Sequence, residues 1–136
     1  MREYLKDKFG GLPILESIYR ARFEAEDEWV DLDANVSHGR HFYDLEGDEL
    51  EEYVRRCLHS ILEHGALPAI NVGDEWPVME ATTAYGTKPA EIVENVIGAW
   101  KRSGRDPVWG EYAFAAPKLI EPMSLERFRK VAAERG

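Results

Sequence analysis

From Asp48 to His64 the apolar residues Leu50, Tyr53, Val54, Cys57, Leu58, Ile61 and Leu62 return at intervals of three and four. That spacing places all seven on one stripe of an α-helix, which a folded chain must bury. Asp48 fits the N-cap, Glu51 stands in the capping-box position three residues later, and Gly65 supplies the stop. Glu51 with Arg55 and Glu52 with Arg56 form favourable i, i+4 pairs on the helix surface. The rest of the fold has to supply a partner for this one amphipathic element.

The chain has the means to do so. In 136 residues, 44% are hydrophobic and 11% aromatic, a composition that offsets the entropy of ordering and argues against disorder. A second helix is predicted from Lys88 to Ser103. Thr87 is a candidate cap, Pro89 lies in the first turn, and Ile92, Val93, Val96, Ile97 and Trp100 form its buried stripe. A third begins after Ser124 and turns Leu125, Phe128, Val131 and Ala132 inward, with Arg127, Arg129, Lys130 and Arg135 outward. Residues 13–25 satisfy two periods at once. Strict alternation from Tyr19 to Glu26 suits a strand, whereas Leu15, Ile18, Tyr19 and Phe23 suit a helix, and the residue types favour the helix.

Short strands are expected at Trp29–Leu32, His41–Tyr43, Ala69–Val72, Val78–Ala84 and Glu111–Ala115, with Gly73-Asp74-Glu75 as a turn. No internal repeat or linker divides the chain, so residues 1–136 read as one domain of α+β class. The expected architecture is a small antiparallel sheet packed against three to four helices as a single pair of layers.

Charge is unevenly distributed. Between Glu24 and Glu52 stand twelve carboxylates and one basic residue, Arg40, a net of −11 against +2 for the remainder and −9 for the whole chain. Such a field repels nucleic acid and anionic lipid and attracts basic partners. No apolar run is long enough for a membrane span, and the charged start has no signal core. With Cys57 as the only cysteine, these features give a cytoplasmic expectation and exclude an internal disulfide.

No familiar chemical motif is complete. Asp31, Asp33 and Asn35 begin like a calcium loop, but Val36 stands where glycine is needed and Phe42 where a bidentate glutamate belongs. Asx-turn chemistry accounts for the segment more simply. His38-Gly39-Arg40-His41 sets two imidazoles near Asp44 and Glu46, in what reads as a surface loop. It lacks a third spaced ligand. His59 and His64 fall on different helix faces, and Cys57 reads as core. Trp76, Tyr85, Trp100, Trp109, Tyr112 and Phe114 read chiefly as core, with a ligand pocket as the alternative. Gly10-Gly11 reads as a hinge, and phosphate loops, dinucleotide fingerprints and nucleophile elbows are absent.

No cofactor or metal is therefore implied. The leading expectation is a non-catalytic protein-binding module in which Asp27, Glu28, Asp31, Asp33, Asp44 and Glu46 meet a basic protein partner. In size and acidity the chain resembles inhibitor and immunity proteins, though no motif carries the likeness. The alternative is a small enzyme or ligand-binding domain built on His38, His41 and nearby carboxylates. The basic residues of the last helix and around Lys101 leave a homo-oligomer open, through pairing with the acidic segment of a second copy.

Overall fold

The computed structural model describes residues 1–136. Five α-helices and four short strands follow one another along it. They are α1 (Ile14–Arg20), β1 (Val30–Asp31), α2 (Leu32–Tyr43), α3 (Gly47–Glu63), β2 (Leu67–Asn71), β3 (Met79–Ala81), α4 (Pro89–Ser103), β4 (Ala113–Ala115) and α5 (Pro122–Arg135). Single 3₁₀ turns at Ala21–Phe23 and Pro117–Leu119 complete the chain. The α+β expectation holds.

Helix α3 is the hub, and α1, α2, α4 and the Ala21–Phe23 turn all pack around it. Every residue of its predicted stripe is buried. Cys57 lies within that core, and burial pushes its thiol up to about 12, so it is inert at neutral pH.

The strands form an antiparallel sheet in the order β1-β4-β2-β3. Strand β4 divides its side chains between two faces. Phe114 enters the helical core, while Ala113 and Ala115 turn the other way and join Ala69, Met79 and Ile120 in a second, smaller cluster. Leu119 and Leu125 cover part of that face. The outer edge of β3 is occupied, since Glu121 N–H donates to the Met79 carbonyl (2.8 Å) and Ala81 N–H to Ser124 Oγ (3.0 Å).

Several local expectations change. Residues 31–43 are one helix, α2, where the sequence suggested an Asx-type loop, a surface loop around His38–His41 and a strand at His41–Tyr43. Its inward stripe is Leu32, Asn35, Val36, Gly39 and Tyr43; an amide and a glycine at two of these positions mask the helical period. Asp44, left-handed at φ 52°, ends it. At the start of α3 the cap position falls on Glu46, without a side-chain bond, and Glu51 instead pairs with Arg55 (3.2 Å) and Lys101 (3.3 Å). At α4 the cap position is Lys88, and Thr87 N–H is taken by Glu91 (2.9 Å). Gly10-Gly11 sits in a closed turn, in which Asp7 Oδ1 accepts from Phe9 and Gly10 N–H.

Two helical glycines have opposite roles. A Cβ on Gly39 would lie 2.7 Å from Leu50 Cδ1 and 2.9 Å from Tyr53 Cδ2, both in the core, so the absent side chain sets how closely α2 approaches α3. A Cβ on Gly98 would meet only the mobile end of Arg102. Gly39→Val should therefore cost about 1–3 kcal/mol of overpacking strain. Gly98→Ala should stabilise by up to about 1 kcal/mol through helix propensity. Urea denaturation of the two variants checks the opposite signs.

Candidate functional site

The largest concavity, about 580 Å³, lies where the N-terminus of α2, strand β1 and the connection between α4 and β4 converge. Trp29, Val30, Asp33, Ala34, Pro77, Met79 and Leu119 line it together with Trp109. Three of the four sheet positions in the adjoining cluster are alanines, 69, 113 and 115, the fourth being Met79, and their short side chains keep this face shallow.

Trp109 is 74% exposed yet firmly placed. Its ring lies 5.2 Å from that of Trp29, tilted by 63° in an edge-on contact. The segment that carries it is braced from within. Arg105 donates to both oxygens of Glu111 (2.8 and 2.9 Å), and Val108 N–H donates to the same carboxylate. These bonds hold the Glu111 carboxyl down to about 2. Arg40 reaches across from α2 to pair with Asp106. Gly110 N–H then donates to Asp31 Oδ2 at 2.7 Å.

Asp31 thus performs two tasks. Its Oδ1 caps α2 by accepting Ala34 N–H (3.0 Å), and its Oδ2 secures the tryptophan loop. At 4% exposure it is a positioning residue with no free oxygen for a partner. The other acidic residues of the groove are exposed or half-buried. Asp27 pairs with Lys118 (2.7 Å), whereas Glu28 and Asp33 have no cation within 4 Å; Asp33 has only Ser37 Oγ at 3.5 Å.

The six acidic residues singled out in the sequence therefore divide. Asp27, Glu28, Asp31 and Asp33 line the groove. Asp44 and Glu46 lie beyond the far end of α2, a 12-residue helix about 18 Å long. There Asp44 binds Lys8 (2.9 Å). The six aromatic candidates also separate: Phe114 is core, and Trp100, Tyr85 and Tyr112 pack against it. Trp76 stands 79% exposed at the β2–β3 turn. Gly73 makes that turn possible, because a Cβ there would sit 1.9 Å from the Trp76 carbonyl oxygen. Sequence reasoning missed the apolar lining of the groove, Trp29, Val30, Ala34, Pro77, Met79 and Leu119, which no motif marks.

His38 and His41 do not share a site. His38 faces inward, its Nε2 3.3 Å from Ser17 Oγ, which lies 3.0 Å from the Tyr53 hydroxyl. The rings of Phe42, Tyr43 and Tyr53 surround it. His41 is exposed and forms no hydrogen bond or ion pair with a side chain. No three His, Cys, Asp or Glu side chains are grouped to hold a metal ion. At the other end of α3, His64 Nε2 lies 2.7 Å from Glu26 Oε1.

The chain is thus an α+β domain with an acidic groove lined by two tryptophans. Compared with known proteins, the chain matches no protein family, no curated protein and no solved structure.

Two outcomes are expected here. Burial holds the His38 imidazole below its ordinary 6.5, an effect larger than the opposing pull of Asp7. The unfolded chain therefore takes up a proton that the folded chain resists. The contribution of His38 to stability is full above pH 6.5 and declines as the pH falls through that unfolded value towards the folded one. Denaturation at a series of pH values should show this decline, and His38→Gln should flatten it; an equally steep decline in the variant would assign it to another group. Separately, Asp31→Ala leaves two backbone donors without their acceptor and should cost about 1–3 kcal/mol. Hydrogen exchange at the Gly110 amide should accelerate in that variant, with the amides of α3 much less affected.

Proposed function

We propose that this chain is a non-catalytic protein-binding module whose groove receives a basic protein partner. The observation that supports it is the pairing of a well-braced, solvent-exposed Trp109 with the carboxylates of Glu28 and Asp33, which no cation of the chain answers. Tryptophan is among the residue types enriched at the energetic anchors of protein interfaces. Carboxylates around it supply long-range attraction and orient a basic surface before contact.

The remaining acidity is largely occupied. Around the start of α3, Glu49 pairs with Arg2, Glu51 with Arg55 and Lys101, and Glu52 with Arg55 and Arg56. Exposed pairs of this kind contribute little to stability, but they neutralise the local field. Within the acidic segment Glu24, Glu28, Asp33, Glu46 and Asp48 have no ion pair, and Glu28 and Asp33 are the two of these that line the groove. No helix is long and apolar enough to cross a membrane.

The proposal is tested with a fluorescent oligo-arginine peptide as a basic probe in stopped-flow association at low and high salt. Association should be fast at low salt and fall as salt rises. Glu28→Gln combined with Asp33→Asn should slow it about threefold or more, while the charge-matched control Asp48→Asn with Glu49→Gln should leave it nearly unchanged. Equal effects from both pairs would reduce the interaction to net charge and overturn the groove as its seat.

A further inference from the structure

We infer that the groove selects arginine over lysine, by stacking a partner's guanidinium on the face of Trp109 while its N–H edge meets the carboxylates of Glu28 and Asp33. This rests on the groove being the docking surface for a basic partner and names the group that is read there. The occupant is an exposed protein segment that presents an arginine.

The geometry favours a planar cation. Trp29 meets Trp109 edge-on, at 63° and 5.2 Å, so Trp29 braces the second indole without covering it. Trp109 keeps most of its surface free. A guanidinium needs one such face, because it is flat, weakly hydrated and directs its N–H donors outward in its own plane. An ammonium is compact and strongly hydrated, and gains less from a single open face. Methylated ammonium ions are held by several aromatic walls, and only two tryptophans line this groove.

The carboxylates complete the site. Asp33 lies in the first turn of α2 and Glu28 just before β1, and both line the same groove as the tryptophans. Carboxylate acceptors reward the forked donors of arginine with two parallel hydrogen bonds, which a lysine cannot reproduce. The chain itself contains the stacked arrangement elsewhere: the guanidinium carbon of Arg22 sits 4.2 Å from the centre of the Tyr19 ring.

The test uses three short peptides, identical except for a central arginine, lysine or citrulline, each with the same basic flanks. Affinities are measured by calorimetry on the full chain, and the Trp109 indole N–H is followed by NMR. The arginine peptide should bind about fivefold more tightly than the lysine peptide, with citrulline weakest, and should shift the Trp109 signal. Trp109→Leu should remove the preference while the thermal melt stays close to wild type, and Trp109→Phe should keep part of it. Equal binding of arginine and lysine, or a preference that survives Trp109→Leu, would overturn guanidinium reading while leaving a basic docking surface. Failure of all three peptides to bind would overturn both. Sedimentation of the free chain identifies self-association; a dimer that withholds the groove from the arginine peptide would overturn the assignment to a partner protein.

Discussion

Both oxygens of the Asp31 carboxylate are committed to backbone N–H groups, one at the start of α2 and one at Gly110, seventy-nine residues along the chain from Asp31. That buried carboxylate joins three parts of the molecule: the edge strand β1, the helix that follows it and the loop that carries Trp109. Burying a charge of this kind is tolerable because both oxygens are satisfied and because it caps a helix whose dipole favours negative charge. Without it, the groove would lose the registration between its acidic side and its tryptophan. The tryptophan loop has its own internal brace in Arg105 and Glu111, but only Asp31 and Arg40 fasten it to α2.

The same economy of partners explains the electrostatics. A run of twelve carboxylates with one arginine reads as a single acidic surface, yet folding distributes it among several environments. Glu49, Glu51 and Glu52 at the start of α3 are met by Arg2, Lys101 and arginines of α3 itself, whereas Glu46 and Asp48 have no ion pair. Asp31 is buried as a structural acceptor. Glu28 and Asp33 are left without cations on the rim of a concavity, where low-dielectric walls strengthen their field. The groove carboxylates are thus a small part of the acidic segment.

A sheet with alanine at successive positions of one face cannot fill the space above it. Larger residues there would have built a thicker second core; instead Ala69, Ala113 and Ala115 leave a shallow cluster closed by Met79, Ile120 and Leu125. The exposed tryptophans stand on the turns that border this side, Trp76 on the β2–β3 turn and Trp109 before β4. Large aromatic surface outside the core, next to unpartnered carboxylates, is the combination that distinguishes this face from the rest of the molecule.

The helices whose burial is a stripe of apolar residues were legible in the sequence, because a 3.6-residue period is a local property. Helix α3 shows this most directly, and α4 and α5 follow it, as does the core position of Cys57. Helix α2 was not legible, since Asn35 and Gly39 occupy inward positions and the reason for each lies elsewhere. Gly39 is dictated by the approach of Leu50 and Tyr53, which no local pattern encodes. The sequence by itself determined the α+β class, the hub helix and the location of the negative charge along the chain. Only the tertiary structure decided which carboxylates face a common groove and that His38 points into the core. It alone decided that Trp29 meets Trp109. Each of these depends on contacts between residues far apart in the chain, set by packing around α3 and by the single carboxylate that ties β1 to the loop before β4.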